Sequence, residues 1–138
     1  MKITVSTVAV APLDEVWRAY TTPEDIKAWN AASSDWHTTA AAVDLRPGGK
    51  FSSRMEAKDG SIWFDFAGEY TKVAYPQLIE YTIGDRVGVV EFKEMPNGVM
   101  VTVTFDGETS YSEDLQRSGW QAILDSFSRH VAGKVASQ

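Results

Sequence analysis

The sequence predicts an α+β fold in which a curved, seven-stranded antiparallel sheet packs against one long C-terminal helix. Three observations lead to this prediction. Alternating polar and apolar residues, interrupted by five turn signals, fill the middle of the 138-residue chain. Apolar residues recur at helical spacing in the C-terminal part. Two short stretches with helix-start signals follow the first alternating segment, which places two short helices after the first strand.

The N-terminal part of the chain predicts one strand and two helices. Residues 2–10 alternate in a broken pattern of period two, which is typical of a strand. Pro12 begins a helix over residues 12–20, because proline fits a first helical turn and the two acidic residues after it favour the positive helix end. Thr22 is the expected N-cap of a second helix over residues 23–29.

Six further strands are predicted in the middle of the chain. The dipeptides Asp59-Gly60 and Asn97-Gly98 separate alternating runs, and such dipeptides are strong hairpin signals. The runs therefore form an antiparallel meander. Period two gives each strand an inward apolar face and a wet face, and Gly68 indicates a bulge or sharp bend that curls the sheet. The predicted strands are residues 40–45, 50–58, 61–72, 78–83, 87–93 and 99–105.

The last predicted element is a helix that begins at residue 111 or 112 and ends near residue 135. Ser110 and Glu113 form a candidate capping box, and residues 132–138 are expected to fray. Gly119 in mid-helix costs about 1 kcal/mol relative to alanine, so a close approach of the sheet, the preferred explanation, or extra cavity space should compensate. One broad apolar stripe is expected to face the sheet: Leu115, Gly119, Trp120, Ile123, Leu124, Phe127 and Val131.

Composition excludes several classes of function. A net charge of −6 argues against a nucleic-acid binder. The chain has no cysteine, which excludes thiolate chemistry and Cys-ligated metals, and it has only two histidines. No apolar run approaches the roughly 18 residues of a membrane span, and the start of the chain lacks a signal-peptide core. We therefore expect a single cytoplasmic domain over residues 1–138, with no metal and no organic cofactor.

Aromatic residues make up 12% of the chain and are the main pointer to a binding site. A strongly curved sheet cannot contact the long helix everywhere, so the predicted fold leaves an internal cavity lined by inward side chains. For any single aromatic residue, ordinary core packing is the main alternative. The predicted ligand-binding residues are Trp29, Trp36, Met55, Phe64, Phe66, Tyr81, Phe92, Phe105, Trp120, Leu124 and Phe127.

Other polar residues carry weaker signals. His37 follows Asp35 in sequence and is a weak candidate for a general base. Sequence neighbours in a strand point to opposite sides, so a hydrogen bond at the cavity mouth is the preferred alternative. His130 is expected at the solvent edge of the long helix. Asp44 and Arg46 are expected to form an exposed ion pair.

Six segments along nearly the whole chain carry a resemblance to a known family, namely residues 11–12 with 16–17, 23–29, 44–51 (DLRPGGKF), 55–60, 64–70 (FDFAGEY) and 116–120 (QRSGW). These segments resemble the START-like, Bet v 1-like helix-grip domains of the SRPBCC superfamily. Within it, they are similar to the group of the C-terminal domain of the activator of Hsp90 ATPase. The resemblance implies a helix-grip fold.

Three functions stay open from the residues and the resemblance together. The first is the binding of a hydrophobic or aromatic small molecule, including a lipid, in the internal cavity. The second is a cyclase-like or hydratase-like enzyme that uses the same pocket, which an inward His37 would favour. The third is an interaction with a chaperone ATPase, which the resemblance implies and a filled core would favour. Homodimer formation through an edge strand is undecided.

Overall fold

A computed structural model describes the backbone of residues 1–136 and the side chains of residues 1–134, and it confirms the predicted α+β fold. Within residues 1–136, no helix combines the length and the apolar character that crossing a membrane would require. The elements in chain order are β1 (Lys2–Ala9), α1 (Leu13–Thr21), α2 (Pro23–Trp29), β2 (Trp36–Val43), β3 (Lys50–Ala57), β4 (Trp63–Ala74), β5 (Leu78–Ile83), β6 (Arg86–Met95), β7 (Gly98–Asp106) and α3 (Glu113–Ala136).

The seven strands form one antiparallel sheet in the order β1-β7-β6-β5-β4-β3-β2. The predicted meander is therefore correct, and β1 pairs with β7 at its end. Gly60 and Gly98 occupy the predicted hairpin turns with φ values of 78° and 146°. Glycine is favoured at both because a side chain strains this region of φ.

Helix α3 is fastened to the edge strand β1 of the sheet. The Gln121 side-chain amide donates to the carbonyl oxygen of Ser6 at 2.9 Å, and the Ser128 hydroxyl donates to that of Val8 at 2.8 Å. Next to this contact between α3 and β1, Leu124 and Phe127 of α3 are fully buried in the core. A helix held over one edge of a curved sheet lies away from the central strands, and this separation creates the space described below.

Helices α1 and α2 cover the other end of the sheet. The Trp29 indole donates to the carbonyl oxygen of Ala19 at 2.9 Å and joins the two helices. The buried Asp25 of α2 accepts hydrogen bonds from His130 at 2.8 Å and from Lys134 at 2.7 Å, both on α3. His130, which was expected at the solvent edge of the long helix, is half-buried and pairs with a residue distant in sequence.

Several local predictions are corrected by pairing between distant segments. β2 begins at Trp36 rather than residue 40, because it pairs with β3 from Trp36 onward. Gly68 lies in regular register, and the sheet is irregular between Tyr70 and Lys72 instead. A Cβ at Gly68 would collide with the Thr82 carbonyl oxygen, so close backbone approach explains this glycine.

The start and end of α3 also differ from the prediction. The cap is Ser112, whose Oγ accepts from the Leu115 N–H at 3.1 Å, rather than Ser110. The helix continues to Ala136, so residues 132–136, which were expected to fray, have helical backbone. Residues 137–138 lie outside the described part of the chain.

Candidate functional site

A cleft of about 460 Å³ opens between the first turns of α3 and the inner face of strands β2–β7. It lies where α3, tethered to β1, is separated from the central strands. Period-two alternation places apolar side chains on this inner face. The structure brings together seven of the predicted binding residues as lining of the cleft: Trp36, Met55, Phe64, Phe66, Tyr81, Phe105 and Trp120.

Gly119 of α3 lines the cleft without contacting the sheet. A Cβ at this position would have no heavy atom within 4 Å outside its own neighbourhood. The preferred explanation from sequence, a close approach of the sheet, is therefore wrong. The missing side chain instead leaves open space in the cleft.

Tyr81 of β5 lies flat along the sheet surface over Gly88 of β6. A Cβ at Gly88 would stand 2.5 Å from the Tyr81 hydroxyl and 2.7 Å from a ring carbon. Burial raises the pKa of Tyr81 to about 12, although Arg86 acts in the opposite direction. The Tyr81 phenol is therefore neutral and able to donate a hydrogen bond at neutral pH.

A second space of about 70 Å³, here called the inner chamber, lies between α1, α2 and the inner face of strands β2–β6. It shares three lining residues with the cleft, namely Phe66, Tyr81 and Trp120. The Trp120 ring packs 5.6 Å from Phe66 and 5.5 Å from Phe105, centroid to centroid. Trp120 therefore forms part of the partition between the two spaces. Trp29, another predicted binding residue, also lines the inner chamber.

Three predicted binding residues belong to the packed core and border neither of these two spaces: Phe92, Leu124 and Phe127. The Phe92 ring packs 5.2 Å from Trp17 and 5.6 Å from Tyr20. Phe127 packs 5.1 Å from Trp29. Sequence periodicity puts Phe92 on the inner face of the sheet and Leu124 and Phe127 on the apolar stripe of α3. Aromatic rings of α1 and α2 then pack against Phe92 and Phe127.

The weak catalytic candidate His37 is exposed on the outer face of β2, opposite Glu56 of β3. Its neighbour Trp36 faces the cleft instead, as alternation requires. Asp44 and Arg46 form the expected exposed ion pair at 3.0 Å. Among the residues that the structure describes, no cluster of three His, Asp or Glu side chains could hold a metal ion.

The edge of the cleft carries charged and apolar groups that the sequence did not single out. Arg86 and Glu108 stand there with Nη1 and Oε2 3.9 Å apart. The Gln116 side chain accepts from the Glu108 N–H at 2.8 Å and donates to the Tyr111 carbonyl at 3.1 Å, which holds this loop against α3. Leu115 is exposed beside them.

The inner chamber also contains residues that the sequence prediction missed, namely Tyr20, Asn30, Ser53 and Tyr70. One sequence signal was available for Ser53. It occupies an inward position between Phe51 and Met55, where a polar side chain interrupts an otherwise apolar face. The other three lie on elements whose approach to one another depends on the tertiary fold.

The curved sheet, the long C-terminal helix and the open cleft between them define a helix-grip domain. The chain belongs to the family described as Activator of Hsp90 ATPase homolog 1-like protein, whose family model matches residues 10–132. No curated protein matches the chain.

Solved structures agree with this family and fold. An AHSA1-like protein from Aeromonas hydrophila is 45% identical, with 97% of this chain and 94% of that one covered and a TM-score of 0.90. A protein from Cytophaga hutchinsonii is 41% identical, with 99% and 96% covered and a TM-score of 0.82. A protein from Nitrosomonas europaea is similar in fold, at 21% identity, 99% and 97% coverage and a TM-score of 0.84.

Proposed function

We propose that this chain binds a small, mainly apolar molecule in the cleft between α3 and the sheet. The observation that carries the proposal is the open space at Gly119 within an aromatic-lined cleft of about 460 Å³. Ligand sites are commonly concave spaces of roughly 300–1,000 Å³ with mostly apolar walls. A filled interior would have favoured an interaction module, and this face of the sheet is not filled.

Burial of apolar surface is the proposed source of affinity. A two-ring aromatic compound that buries about 200 Å² of apolar surface in the cleft gains about 5 kcal/mol of binding free energy before the costs of association are subtracted. Trp36, Phe66 and Trp120 offer ring faces and edges for such a compound. Phe64 and Leu115 extend the apolar surface to the cleft edge, where they are exposed.

The alternatives receive less support from the geometry. His37, the residue that would have favoured an enzyme, faces away from the cleft. A chaperone interaction rests on the description of the family and on no particular surface of this chain. A homodimer and a cytoplasmic location stay predictions.

The binding proposal is tested with two matched variants of α3. Gly119 and Gly133 both have open space at the Cβ position, but Gly119 lines the cleft and Gly133 is exposed. We expect Gly119→Leu to weaken the binding of 2-naphthol at least about tenfold, because the new side chain occupies the space of the ligand. Gly133→Leu should leave the affinity unchanged.

The measurement is a titration followed by ¹H–¹⁵N correlation spectra, in which the indole signals of Trp36 and Trp120 report on the cleft. Saturable shifts of these signals in the unchanged protein support the proposal. A lack of saturable shifts with both 2-naphthol and 2-methylnaphthalene, or equal affinity of the two leucine variants, would contradict it.

A further inference from the structure

Three of the residues that line the inner chamber are buried polar residues whose side chains have no hydrogen-bond partner in the protein. They are Asn30, Ser53 and Tyr70, each at most 7% exposed. Among the hydrogen bonds of the described residues, none involves the side-chain amide or hydroxyl of any of these three. A buried polar group without a partner is destabilising, so such a concentration is unusual in a folded core.

These free polar groups border open space rather than packed atoms. Within the described side chains, every fully sealed nitrogen or oxygen atom has a hydrogen-bond partner. The unpartnered polar atoms of these chamber-lining residues are therefore not fully enclosed by protein atoms. Their missing partners can be supplied by an occupant.

The size of the chamber limits what that occupant is. A water molecule takes about 30 Å³ of liquid volume, so a space of this size holds about two waters or one small functional group. The chamber adjoins the cleft across Phe66, Tyr81 and Trp120, which line both spaces. A ligand whose rings lie in the cleft can therefore extend one group past this partition.

The inner chamber also disfavours a charged group of a ligand. The residues that line it include no Asp, Glu, Lys, Arg or His. Burial raises the pKa of Tyr70 to about 12, and it raises the pKa of Tyr20 well above its ordinary value, with Tyr81 and Tyr70 adding to the effect. The phenols are neutral at neutral pH, and an ionised group of a ligand would find no counter-charge there.

We propose that the inner chamber is a subsite for one neutral hydrogen-bonding group, a hydroxyl or a carbonyl, carried at the end of an otherwise apolar ring compound. The ligand class is thus a neutral aromatic or polycyclic alcohol, phenol or ketone. This inference rests on the proposed function, because the rings occupy the cleft while the polar group enters the chamber. Ser53 and Tyr70 are its hydrogen-bonding partners.

The test compares 2-naphthol with 2-methylnaphthalene, which differ by a hydroxyl in place of a methyl group of similar size. Titrations use the unchanged protein, Ser53→Ala and Tyr70→Phe. Each variant should lower the affinity for 2-naphthol about threefold to tenfold, the equivalent of one neutral hydrogen bond, and leave that for 2-methylnaphthalene unchanged. Tyr75→Phe is the control, since Tyr75 is exposed and packs on Trp17.

The outcomes separate this inference from the proposed function. Selective loss of 2-naphthol affinity in both variants supports the subsite. An equal loss for both probes, or no loss in either variant, overturns the subsite while the cleft proposal stands. If neither probe binds to the unchanged protein, the proposed function fails and the subsite fails with it. Correlation spectra of each variant without probe check that the fold is retained.

Discussion

At the scale of single residues, we expect removal of the Tyr70 hydroxyl and removal of the Thr38 hydroxyl to affect the free energy of unfolding differently. Both residues are buried, but the Thr38 hydroxyl donates to the Asn30 carbonyl oxygen at 2.6 Å, whereas the Tyr70 hydroxyl has no partner among the described residues. Thr38→Val should lower the free energy of unfolding by about 1–2 kcal/mol, because it leaves a buried carbonyl unpaired. Tyr70→Phe should change the unfolding free energy by less than about 0.5 kcal/mol or raise it.

Urea unfolding of the two variants beside the unchanged protein measures this difference. A loss for Tyr70→Phe as large as that for Thr38→Val would mean that the phenol hydroxyl has a structural partner in solution. The idea that this hydroxyl is kept free for an occupant would then be wrong.

Single residues also show where prediction from sequence reaches its limit. Period two places Phe66, Tyr81 and Phe92 on the inner face from sequence alone, since alternation is a local property of a strand. Which of them lines open space depends on where α1, α2 and α3 cross the sheet. Phe92 is covered by Trp17 of α1, and no local pattern encodes that contact.

At the scale of elements, the junction between α2 and α3 makes the fold sensitive to acid. Burial alone would raise the pKa of Asp25, but hydrogen bonds and charges from Lys134 and His130 outweigh it and lower the pKa below its ordinary value. A lowered carboxyl pKa in the folded state contributes stability above the unfolded-state pKa of about 3.9. That contribution is lost as the pH falls from about 4 through the folded-state value.

Asp25→Asn should therefore lower the free energy of unfolding at pH 7 by about 1.5–3 kcal/mol, the range for hydrogen bonds to charged groups. The difference in stability between this variant and the unchanged protein should shrink as the pH falls below about 4. Urea midpoints from pH 3 to pH 7 measure both effects. A difference that stays constant over this range would show that the ionised carboxylate contributes nothing specific to the junction.

Elements were easier to predict than their ends. Strong turn dipeptides and helical spacing determine most of the secondary structure locally, so the meander of six strands and the long helix followed from the sequence. The pairing of β1 with β7 was not predicted. The ends are set by distant partners: β2 starts early because it pairs with β3, and α3 is capped by Ser112 where its first turn meets Leu115. Capping and strand pairing of this kind are visible only after the chain has folded.

At the scale of the whole molecule, one arrangement explains both the core and the cleft. Hydrogen bonds from Gln121 and Ser128 hold α3 over β1, so the second half of the helix seals the core against α1 and α2. The first half then lies across from the curved central strands without filling the gap. The curvature of the predicted sheet already implies such a gap, whereas the separate inner chamber that Trp120 also lines was not predicted.

This arrangement predicts a conflict between stability and binding at Gly119. Glycine in mid-helix costs about 1 kcal/mol relative to alanine, and the space beside it is open. Gly119→Leu should therefore unfold with a free energy equal to or up to about 1 kcal/mol above that of the unchanged protein when no ligand is present. With 2-naphthol at about a hundred times its dissociation constant, the unchanged protein should gain about 2.7 kcal/mol and become the more stable of the two.

Urea unfolding with and without 2-naphthol measures this reversal. Gly133→Leu is the control, and 2-naphthol should raise its free energy of unfolding as much as it raises that of the unchanged protein. If Gly119→Leu is less stable than the unchanged protein without 2-naphthol, the helix lies closer to the sheet in solution and the added leucine side chain clashes with it. If it gains as much from 2-naphthol as Gly133→Leu, the probe binds elsewhere. We expect this reversal of relative stability because Gly119 weakens the helix and leaves open space beside it. A bound ligand that fills this space would compensate for the loss, and the Gly119→Leu variant has no space left for it.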